Sequence, residues 1–356
     1  MLSQLSPGYY LHQPDAIAEL GPWLSRAGYH SAVVVSGTRS YQAAKTPLED
    51  SLRQAGIRWR LASYHGECSD ESALEMVRGS GNDRDVVIGV GGGKVLDLSK
   101  LVSWELQLPL VTVPTLISNC AATTPNTVVY DMAERVKESR VGRVVPEMTL
   151  VDDTLLKRSP KSYFASGLGD TLAKPYEALV GATSRALLES AGLRLAQDVG
   201  DFIAHQGVAG LKAFGEGKSP PSLADLTDAV ILMGSLVGGL GGPGLRGAIA
   251  HAFHNALTML PEVHETLHGE KVAYGLMVQE SLWGRPVESV RKLRELLTGL
   301  GLPVNWAQLA GSGNLPDLST LEELAAATLG SPLVQGRLDE AGVERLVQAM
   351  RDVEAY

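Results

Sequence analysis

The chain has 356 residues, of which 44% are apolar and 20% are charged, which is enough to bury a core in about two domains. The formal net charge is -9, so nucleic acid is not an expected partner, because this charge repels phosphate backbones. Two cysteines, Cys68 and Cys120, provide no disulfide framework. The first residues lack the basic start and apolar run of a secretory signal, so we expect a cytoplasmic protein.

Two apolar stretches are long enough, or nearly so, to be considered as membrane spans. Residues 106–130 are interrupted by three prolines and become rich in Thr, Ser and Asn. Residues 229–245 fall just short of the roughly 18 residues that a span needs and contain six glycines and a proline. We predict that the second stretch is a buried helix with its terminal loop, and that the protein does not bind a membrane.

The first 152 residues alternate short β-branched runs with helical patterns, which is typical of βαβ units and a mostly parallel sheet. The predicted strands cover residues 31–36, 59–63, 85–89, 108–113, 126–130 and 148–151. The predicted helices between them include residues 15–26, 41–54, 70–78 and 94–105.

After Asp152 the strand pattern ends and amphipathic helical stretches follow one another. The clearest cover residues 184–206, 223–240, 247–260 and 270–282. A polar, proline-containing stretch, residues 153–160, separates the two patterns and predicts a domain boundary. The sequence thus predicts an α/β half followed by an all-α half, with a cleft between them as the expected ligand site.

A glycine cluster at Gly91, Gly92 and Gly93 connects an apolar strand to a helix that begins near Lys94. Glycines let a backbone approach a phosphate closely, and the helix start offers free N–H groups and a positive dipole end. This pattern suits a pyrophosphate. The spacing differs from the usual G-x-G-x-x-G, so a plain strand-to-helix turn is an equal alternative.

Small hydroxyl residues follow the next predicted strand, among them Thr115, Ser118 and Thr124. At the carboxyl end of a parallel strand such side chains are well placed to bond a ligand. They are equally common as turn and capping residues.

Four of the eight histidines fall within eighteen residues, from His251 to His268. His251 and His254 are three residues apart and share a helix face, which favours a metal site over structural histidines. Zinc or ferrous iron can take two imidazoles and a carboxylate and keep a position for a substrate oxygen. Asp170 offers a carboxylate, although an aspartate before a helical run is usually an N-cap, which is the interpretation that spacing alone favours.

Together these motifs resemble the iron-containing alcohol dehydrogenase superfamily, specifically its glycerol dehydrogenase-like branch, over nearly the whole chain. The matching segments are GGGK-x-x-D from Gly91, PT-x-x-S from Pro114, GDTLAK-x-YEA from Gly169, H-A-x-H-N from His251 and HGEKVAYG from His268. The resemblance implies a dehydroquinate synthase-like fold, with a Rossmann-like dinucleotide-binding domain over residues 1–157 and a helical metal-binding, catalytic domain over residues 158–356. It also implies a homo-oligomer that acts on a small molecule.

By the same resemblance, Asp170, His251 and His268 bind one divalent metal ion, Zn²⁺ or Fe²⁺. Propanediol-type members carry a further histidine four residues after the aspartate, where this chain has Lys174, as in a three-ligand site. His254 is the candidate catalytic residue, either relaying a proton or holding the substrate, with a satisfied core histidine as the alternative.

The resemblance also implies a nicotinamide cofactor, NADP or NAD. The residues that would bind it are Gly37, Gly91, Gly92, Gly93, Lys94, Asp97, Thr115, Ser118, Thr124 and Tyr130. NAD-specific relatives place an acid after the first strand to bind the ribose 2′-hydroxyl, whereas the segment around Gly37 has none and Arg39 is available to a 2′-phosphate. We therefore expect that NADPH is accepted.

Two residues at predicted substrate positions depart from glycerol dehydrogenases. Cys120 replaces an aspartate, and Arg246 replaces an uncharged residue, as it does in the hydroxycarboxylate dehydrogenases of this branch. Loss of a carboxylate and gain of a guanidinium both favour an anionic substrate, which indicates a 2-hydroxycarboxylic acid and its 2-oxo acid. A solvated Arg246 is the alternative.

Three other functions stay open at this point. They are a glycerol dehydrogenase, a non-redox cyclase like 3-dehydroquinate synthase, and a nucleotide-binding regulator without catalysis. Such cyclases usually have glutamate where this chain has Asp170, and their basic phosphate-binding cluster is not apparent here.

Overall fold

The computed structural model describes residues 4–81, 83–131, 133–181, 186–311, 313–334 and 342–355. The chain divides into two compact units, Gln4–Pro160 and one that contains Lys161–Tyr356. The division therefore falls at Pro160, in the proline-containing stretch where the sequence placed its boundary at residue 157.

The first unit is built around parallel strands, each paired with a helix that precedes or follows it. Its strands are β1 (Tyr9–Gln13), β2 (Ser31–Gly37), β3 (Arg58–Tyr64), β4 (Val86–Gly91), β5 (Leu110–Pro114), β6 (Asn126–Tyr130), β7 (Val136–Val141) and β8 (Met148–Asp152). Its helices are α1 (Leu20–Arg26), α2 (Thr38–Gln54), α3 (Asp70–Ser80), α4 (Gly93–Leu106) and α5 (Asp153–Leu156), with a 3-10 turn at Ala16–Glu19 before α1.

Six of these strands form one sheet in the order β1-β8-β5-β4-β2-β3, and every neighbouring pair is parallel. This confirms the predicted α/β fold class. One predicted strand has a different place: β6 pairs antiparallel with β7 in a separate two-stranded sheet. Strands β1 and β7 were not predicted, because each is only partly buried and neither carries a continuous apolar run.

Strand β2 shows why the sheet has helices on both faces. Alternate side chains of a strand point to opposite faces, so Ala32 and Val34 pack in one apolar core with α1 and α2, while Val33 and Val35 pack in a second with α3 and α4. A strand buried on both faces has the unbroken β-branched sequence that predicted it.

Neighbouring strands β2 and β4 lead in opposite directions across the sheet. Strand β2 is followed by β3 on one side and β4 by β5 on the other, which makes a topological switch point between them. The register pairs Ser36 with Val90, so Gly37 and Gly91 end the two strands side by side. Ligands of open α/β sheets bind outside the carboxyl ends of the strands at such a point.

Two buried threonines hold the loop after β5 in place through hydrogen bonds. The hydroxyl of Thr112 on β5 donates to the Ala122 carbonyl at 2.7 Å, and that of Thr149 on β8 donates to the same oxygen at 3.0 Å. Both threonines are fully buried, so these bonds fix the loop that carries Ser118 and Cys120.

The regular secondary structure in the described residues of the second unit is all helical, which confirms the all-α half. Its helices are α6 (Lys161–Gly181), α7 (Leu187–Gly215), α8 (Pro221–Asp228), α9 (Gly234–Gly241), α10 (Ile249–Leu257), α11 (His268–Leu282), α12 (Val287–Gly299), α13 (Trp306–Leu309), α14 (Leu318–Leu329) and α15 (Gly342–Ala355). A π-helical turn, Ala229–Met233, joins α8 to α9, and 3-10 turns lie at Gly242–Leu245 and Pro261–Val263. Residues 184 and 185, where a helix was predicted to begin, lie outside the described residues.

One described stretch, Pro221–Gly241, is long and apolar enough to cross a membrane by length and composition. Of its most apolar window, 61% is buried inside the protein. Ala229, Val230 and Val237 are fully or almost fully buried, as expected for a core helix.

Helix α6 begins nine residues before Asp170, so the interpretation of Asp170 as a helix N-cap is wrong. The helix also continues through Pro175, whose ring packs on α7 at Gly200. A Cβ at Gly200 would lie 2.5 Å from the Pro175 ring. An interior position lets α6 present Asp170 to other helices instead of to its own backbone.

Candidate functional site

Three helices of the second unit bring the predicted metal ligands together. One ligand atom from each of Asp170 on α6, His251 on α10 and His268 on α11 lies within 4.8 Å of the others. The Asp170 Oδ1 atom is 3.0 Å from His251 Nε2 and 3.4 Å from His268 Nε2. A carboxylate with two imidazole nitrogens is a donor set that zinc and ferrous iron accept, so these residues fit a divalent cation.

A close crossing of α6 and α11 positions His268. The Gly269 N–H donates to the Ser166 hydroxyl at 2.9 Å, and a Cβ at Gly269 would lie 1.8 Å from the Ser166 carbonyl oxygen. Only glycine allows this approach. Because His268 is the neighbour of Gly269, the crossing sets the distance between His268 and Asp170.

Lys174 lies one turn after Asp170, at the position of the fourth ligand in propanediol-type members. Its Nζ is 3.9 Å from Asp170 Oδ1 and donates to the Arg246 carbonyl at 3.4 Å. Burial alone would raise the pKa of Asp170, but the charge of Lys174 and hydrogen bonds from His251 and His268 hold that pKa well below its usual value. The carboxylate is therefore ionised and available to a cation.

Glu177 is a site residue that sequence reasoning did not assign. Its Oε2 accepts a hydrogen bond from Nδ1 of His251 at 2.6 Å. Burial opposes the charges of this pair, but their mutual attraction prevails, since it raises the pKa of His251 and lowers that of Glu177. The sequence offers one signal for Glu177: it lies two helical turns after Asp170, so the two carboxylates share a face of the helix.

His254 lies against His268 and outside the three-ligand group. Its Nε2 is 3.0 Å from His268 Nδ1, and its Nδ1 is 3.0 Å from Asn255 Oδ1. Burial, with the charges of His268 and Lys271, holds the pKa of His254 well below its usual value, so the ring is neutral. The fourth histidine of the cluster, His264, bonds the Thr258 carbonyl at 3.2 Å instead.

Arg246 lies in the segment that leads into α10. Its stem rests on α9, where a Cβ at Gly238 would lie 2.8 Å from Arg246 Cγ. The guanidinium is part of a half-buried side chain and has no hydrogen bond or ion pair with any residue in the described part of the chain. Burial alone lowers the pKa of Arg246, with no carboxylate to oppose it.

In the first unit, α4 begins within the glycine cluster, at Gly93. Its N-cap residue is Gly92, with no side-chain cap, so the N–H groups of its first turn have no helical partner. A Cβ at Gly92 would lie 2.8 Å from Leu116, and one at Gly93 would lie 2.7 Å from Asn119. The glycines thus let the loop after β5 pack against an uncapped helix start, which fits an anionic group.

Lys94 is already paired at this helix start. Its Nζ lies 2.6 Å from Glu67 Oε2 and 5.0 Å from the centre of the Tyr130 ring. The positive charge of Lys94, which the sequence predicted for phosphate binding, therefore already has the Glu67 carboxylate as its partner.

Asp97 mainly contacts other residues of the first unit. Its buried carboxylate lies 2.8 Å from Lys100 Nζ and accepts the Val128 N–H at 3.0 Å, which ties α4 to β6 and so positions Tyr130 at the end of β6.

The remaining predicted residues lie in the loop region after β5. Thr115 and Ser118 are buried, and the Thr115 N–H donates to the Gly91 carbonyl at 3.0 Å. The Thr124 hydroxyl accepts from the Asn126 N–H at 3.3 Å, and Cys120 is partly exposed.

Comparison with known proteins gives concordant matches. A sequence profile of the iron-containing alcohol dehydrogenase family matches residues 7–153. Hydroxycarboxylate dehydrogenase A of Escherichia coli is 35% identical over 308 residues, covering 86% of this chain and 84% of that protein. Glycerol dehydrogenase of Thermotoga maritima is 31% identical, also covering 86% and 84%. The crystal structure of glycerol dehydrogenase from Schizosaccharomyces pombe superposes with a TM-score of 0.90 at 25% identity, over 100% of this chain and 91% of that one.

Replacing Gly269 by alanine is expected to destabilise the protein by about 1–3 kcal/mol, because the added methyl meets a backbone oxygen that cannot rotate away. The matched control is Gly79→Ala in α3, where the same methyl meets open space and stabilises the helix by up to about 1 kcal/mol. Urea unfolding followed by circular dichroism measures both changes. Shifts of the same sign and size in the two variants would contradict the close crossing.

Proposed function

Because the chain belongs to the iron-containing alcohol dehydrogenase family, and is an oxidoreductase of that family, we propose that it interconverts a small 2-hydroxycarboxylic acid and its 2-oxo acid. The observation that carries this choice is Arg246, a half-buried guanidinium without a partner among the described residues, in the segment that leads to His251. A substrate carboxylate would supply the missing counter-charge through a bidentate pair of hydrogen bonds.

We propose that Asp170, His251 and His268 hold the divalent cation, Zn²⁺ or Fe²⁺. When bound, the cation supplies positive charge to the substrate oxygen, and the nicotinamide supplies or accepts the hydride. The three residues fix where that charge acts. Lys174 keeps Asp170 ionised and holds the Arg246 carbonyl, so it links a ligand to the proposed carboxylate clamp.

His254 is proposed to take part in proton movement on the histidine side of the site. The Asn255 Oδ1 atom accepts a hydrogen bond from Nδ1 of His254, so Nε2, which faces His268 Nδ1, is the ring nitrogen that can take up a proton. The proposed cofactor residues are those at the switch point and the start of α4, where an uncapped helix end would receive the pyrophosphate. We also propose that the protein is a homo-oligomer, as the resemblance implies, and that it is cytoplasmic.

Asp170→Ala is expected to abolish retention of the metal and activity together, because it removes the only carboxylate of the three-ligand group. Metal analysis of the purified protein and oxidation of NADPH at 340 nm measure the two effects. The control is Asp198→Ala, an exposed residue of α7, which should keep both. Full activity in the Asp170 variant would remove the ligand assignment.

Arg246→Met is expected to lower kcat/KM for 2-oxobutyrate about ten- to a hundredfold, the usual loss for a hydrogen bond to a charged group. The rate with dihydroxyacetone, which has no carboxylate, should change little. Arg291→Met, at an exposed position of α12, is the control. Equal losses on both substrates would contradict the clamp.

The same assay on the wild type separates the other candidate functions. A preference for dihydroxyacetone would make the protein a glycerol dehydrogenase, as two of the similar proteins are. Phosphate release without net cofactor turnover would indicate a cyclase. Cofactor binding without turnover on any substrate would indicate a regulator.

NADPH is expected to be accepted as cofactor, because Gly37 ends β2 without an acid beside it and Arg39 is exposed in the first turn of α2. Arg39→Ala should lower kcat/KM for NADPH several-fold and leave that for NADH unchanged. Initial rates at matched concentrations test both statements. A wild type that strongly prefers NADH over NADPH would refute this prediction.

A further inference from the structure

The buried carboxylate of Glu177 does more than pair with one histidine. Its side chain has no exposed surface, and each of its oxygens accepts hydrogen bonds. Oε2 faces Nδ1 of His251, while Oε1 accepts the Ala248 N–H at 2.7 Å and the His251 N–H at 3.0 Å. Burying a charge costs free energy unless the charge is hydrogen-bonded in this way, so the partners of Glu177 indicate what the carboxylate does.

The two backbone donors belong to the start of α10. This helix begins at Ile249 with no cap from its own N-cap residue, Ala248. Glu177 therefore caps a helix that lies far away in sequence, and its charge faces the positive end of that helix. Gln279 of α11 adds a second contact there, since its Oε1 accepts the Ala250 N–H at 3.3 Å.

The bond to Nδ1 also fixes the orientation and proton of the His251 ring. Both ring nitrogens face a carboxylate, Nδ1 at 2.6 Å from Glu177 and Nε2 at 3.0 Å from Asp170, and a carboxylate only accepts hydrogen bonds. A neutral ring has one proton, which the shorter contact keeps on Nδ1, so Nε2 is the nitrogen that a cation held by Asp170 can use. Nε2 is the atom that faces Asp170. One carboxylate thus holds both the backbone and the ring of this ligand.

His268 has a different partner. Its Nδ1 faces the imidazole of His254, a group that carries no negative charge. An anionic partner on Nδ1 makes the opposite nitrogen a stronger donor, and a neutral partner does so less. The two histidines therefore differ as metal ligands, although each contributes one imidazole nitrogen to the donor set.

We propose that Glu177 is a positioning residue that orients His251, fixes its tautomer and makes it the stronger histidine ligand of the cation. This inference rests on the proposed metal site. The alternative is that Glu177 only caps α10, with no effect on the ring.

The variant Glu177→Gln separates these two roles. A glutamine oxygen can still accept the N–H groups of Ala248 and His251, so the cap is retained. Its amide nitrogen is a donor, however, and faces Nδ1, so the His251 proton must move to Nε2. The matched control is Gln279→Leu, which removes the second cap contact of α10 without touching a ring.

Two measurements decide the proposal. Nitrogen-15 NMR of labelled histidines, in metal-free protein at alkaline pH, should show the Nδ1–H form of His251 in the wild type and in Gln279→Leu, and the Nε2–H form in Glu177→Gln. Competition with a chromogenic chelator should show Zn²⁺ bound 10- to 100-fold more weakly by Glu177→Gln and unchanged in Gln279→Leu.

Three results would overturn the proposal: an unchanged tautomer in Glu177→Gln, unchanged zinc affinity, or an equal loss of affinity in both variants. The last would mean that the effect passes through the helix cap alone. The NMR readout needs no metal. If the wild type fails to bind zinc, the metal site is refuted, while the tautomer still decides what Glu177 does to His251.

Discussion

Two buried carboxylates on one face of α6 are the constraint on which the proposed metal centre depends. Asp170 and Glu177 are almost fully buried, and both pKa shifts indicate ionised groups. A buried ion costs several kcal/mol unless charges and donors surround it. The imidazoles, Lys174 and the start of α10 meet that requirement for the two acids. The same attraction that offsets the burial cost therefore gathers the side chains that a cation needs.

The first unit differs from the second, because main-chain groups rather than charged side chains come together at its topological switch point. Parallel strands end side by side at Gly37 and Gly91, and the glycine cluster lets a loop and an uncapped helix meet closely. The charged contacts near that point, such as Asp97 with Lys100, serve to hold β6 in place. Side chains fix this region, and its main-chain N–H groups are the ones that would face the proposed pyrophosphate.

The sequence predicted five of the six strands of the main sheet and missed the edge strand β1. The four central strands could be recognised because burial on both faces leaves continuous apolar, largely β-branched runs. The sequence misplaced β6, whose pairing with β7 depends on a partner with a mostly polar, exposed sequence. The fold class could also be predicted, because the strand pattern ends and helical periodicity begins near Pro160.

The candidate site was predictable only in part. The histidine spacing drew attention to His251 and His254, whereas Asp170 and His268 were assigned as ligands only by the family resemblance. Spacing alone favoured Asp170 as a helix cap, because local preference cannot show that α6 starts nine residues earlier. Glu177 was missed, because a carboxylate acquires its role from His251 and Ala248, more than seventy residues away. Functions created by long-range pairing leave only a weak local signal.

The ion pair between Lys94 and Glu67 has a consequence for anion selectivity at the start of α4. A lysine held by a carboxylate has already lost much of its rotational freedom, which otherwise costs up to about 2 kcal/mol on binding. If a pyrophosphate binds at the start of α4, as we propose, it meets an ordered cation, but it has to displace or share the Glu67 carboxylate. Binding would then be an exchange of one anion for another, and such an exchange would favour groups with more negative charge than a single carboxylate.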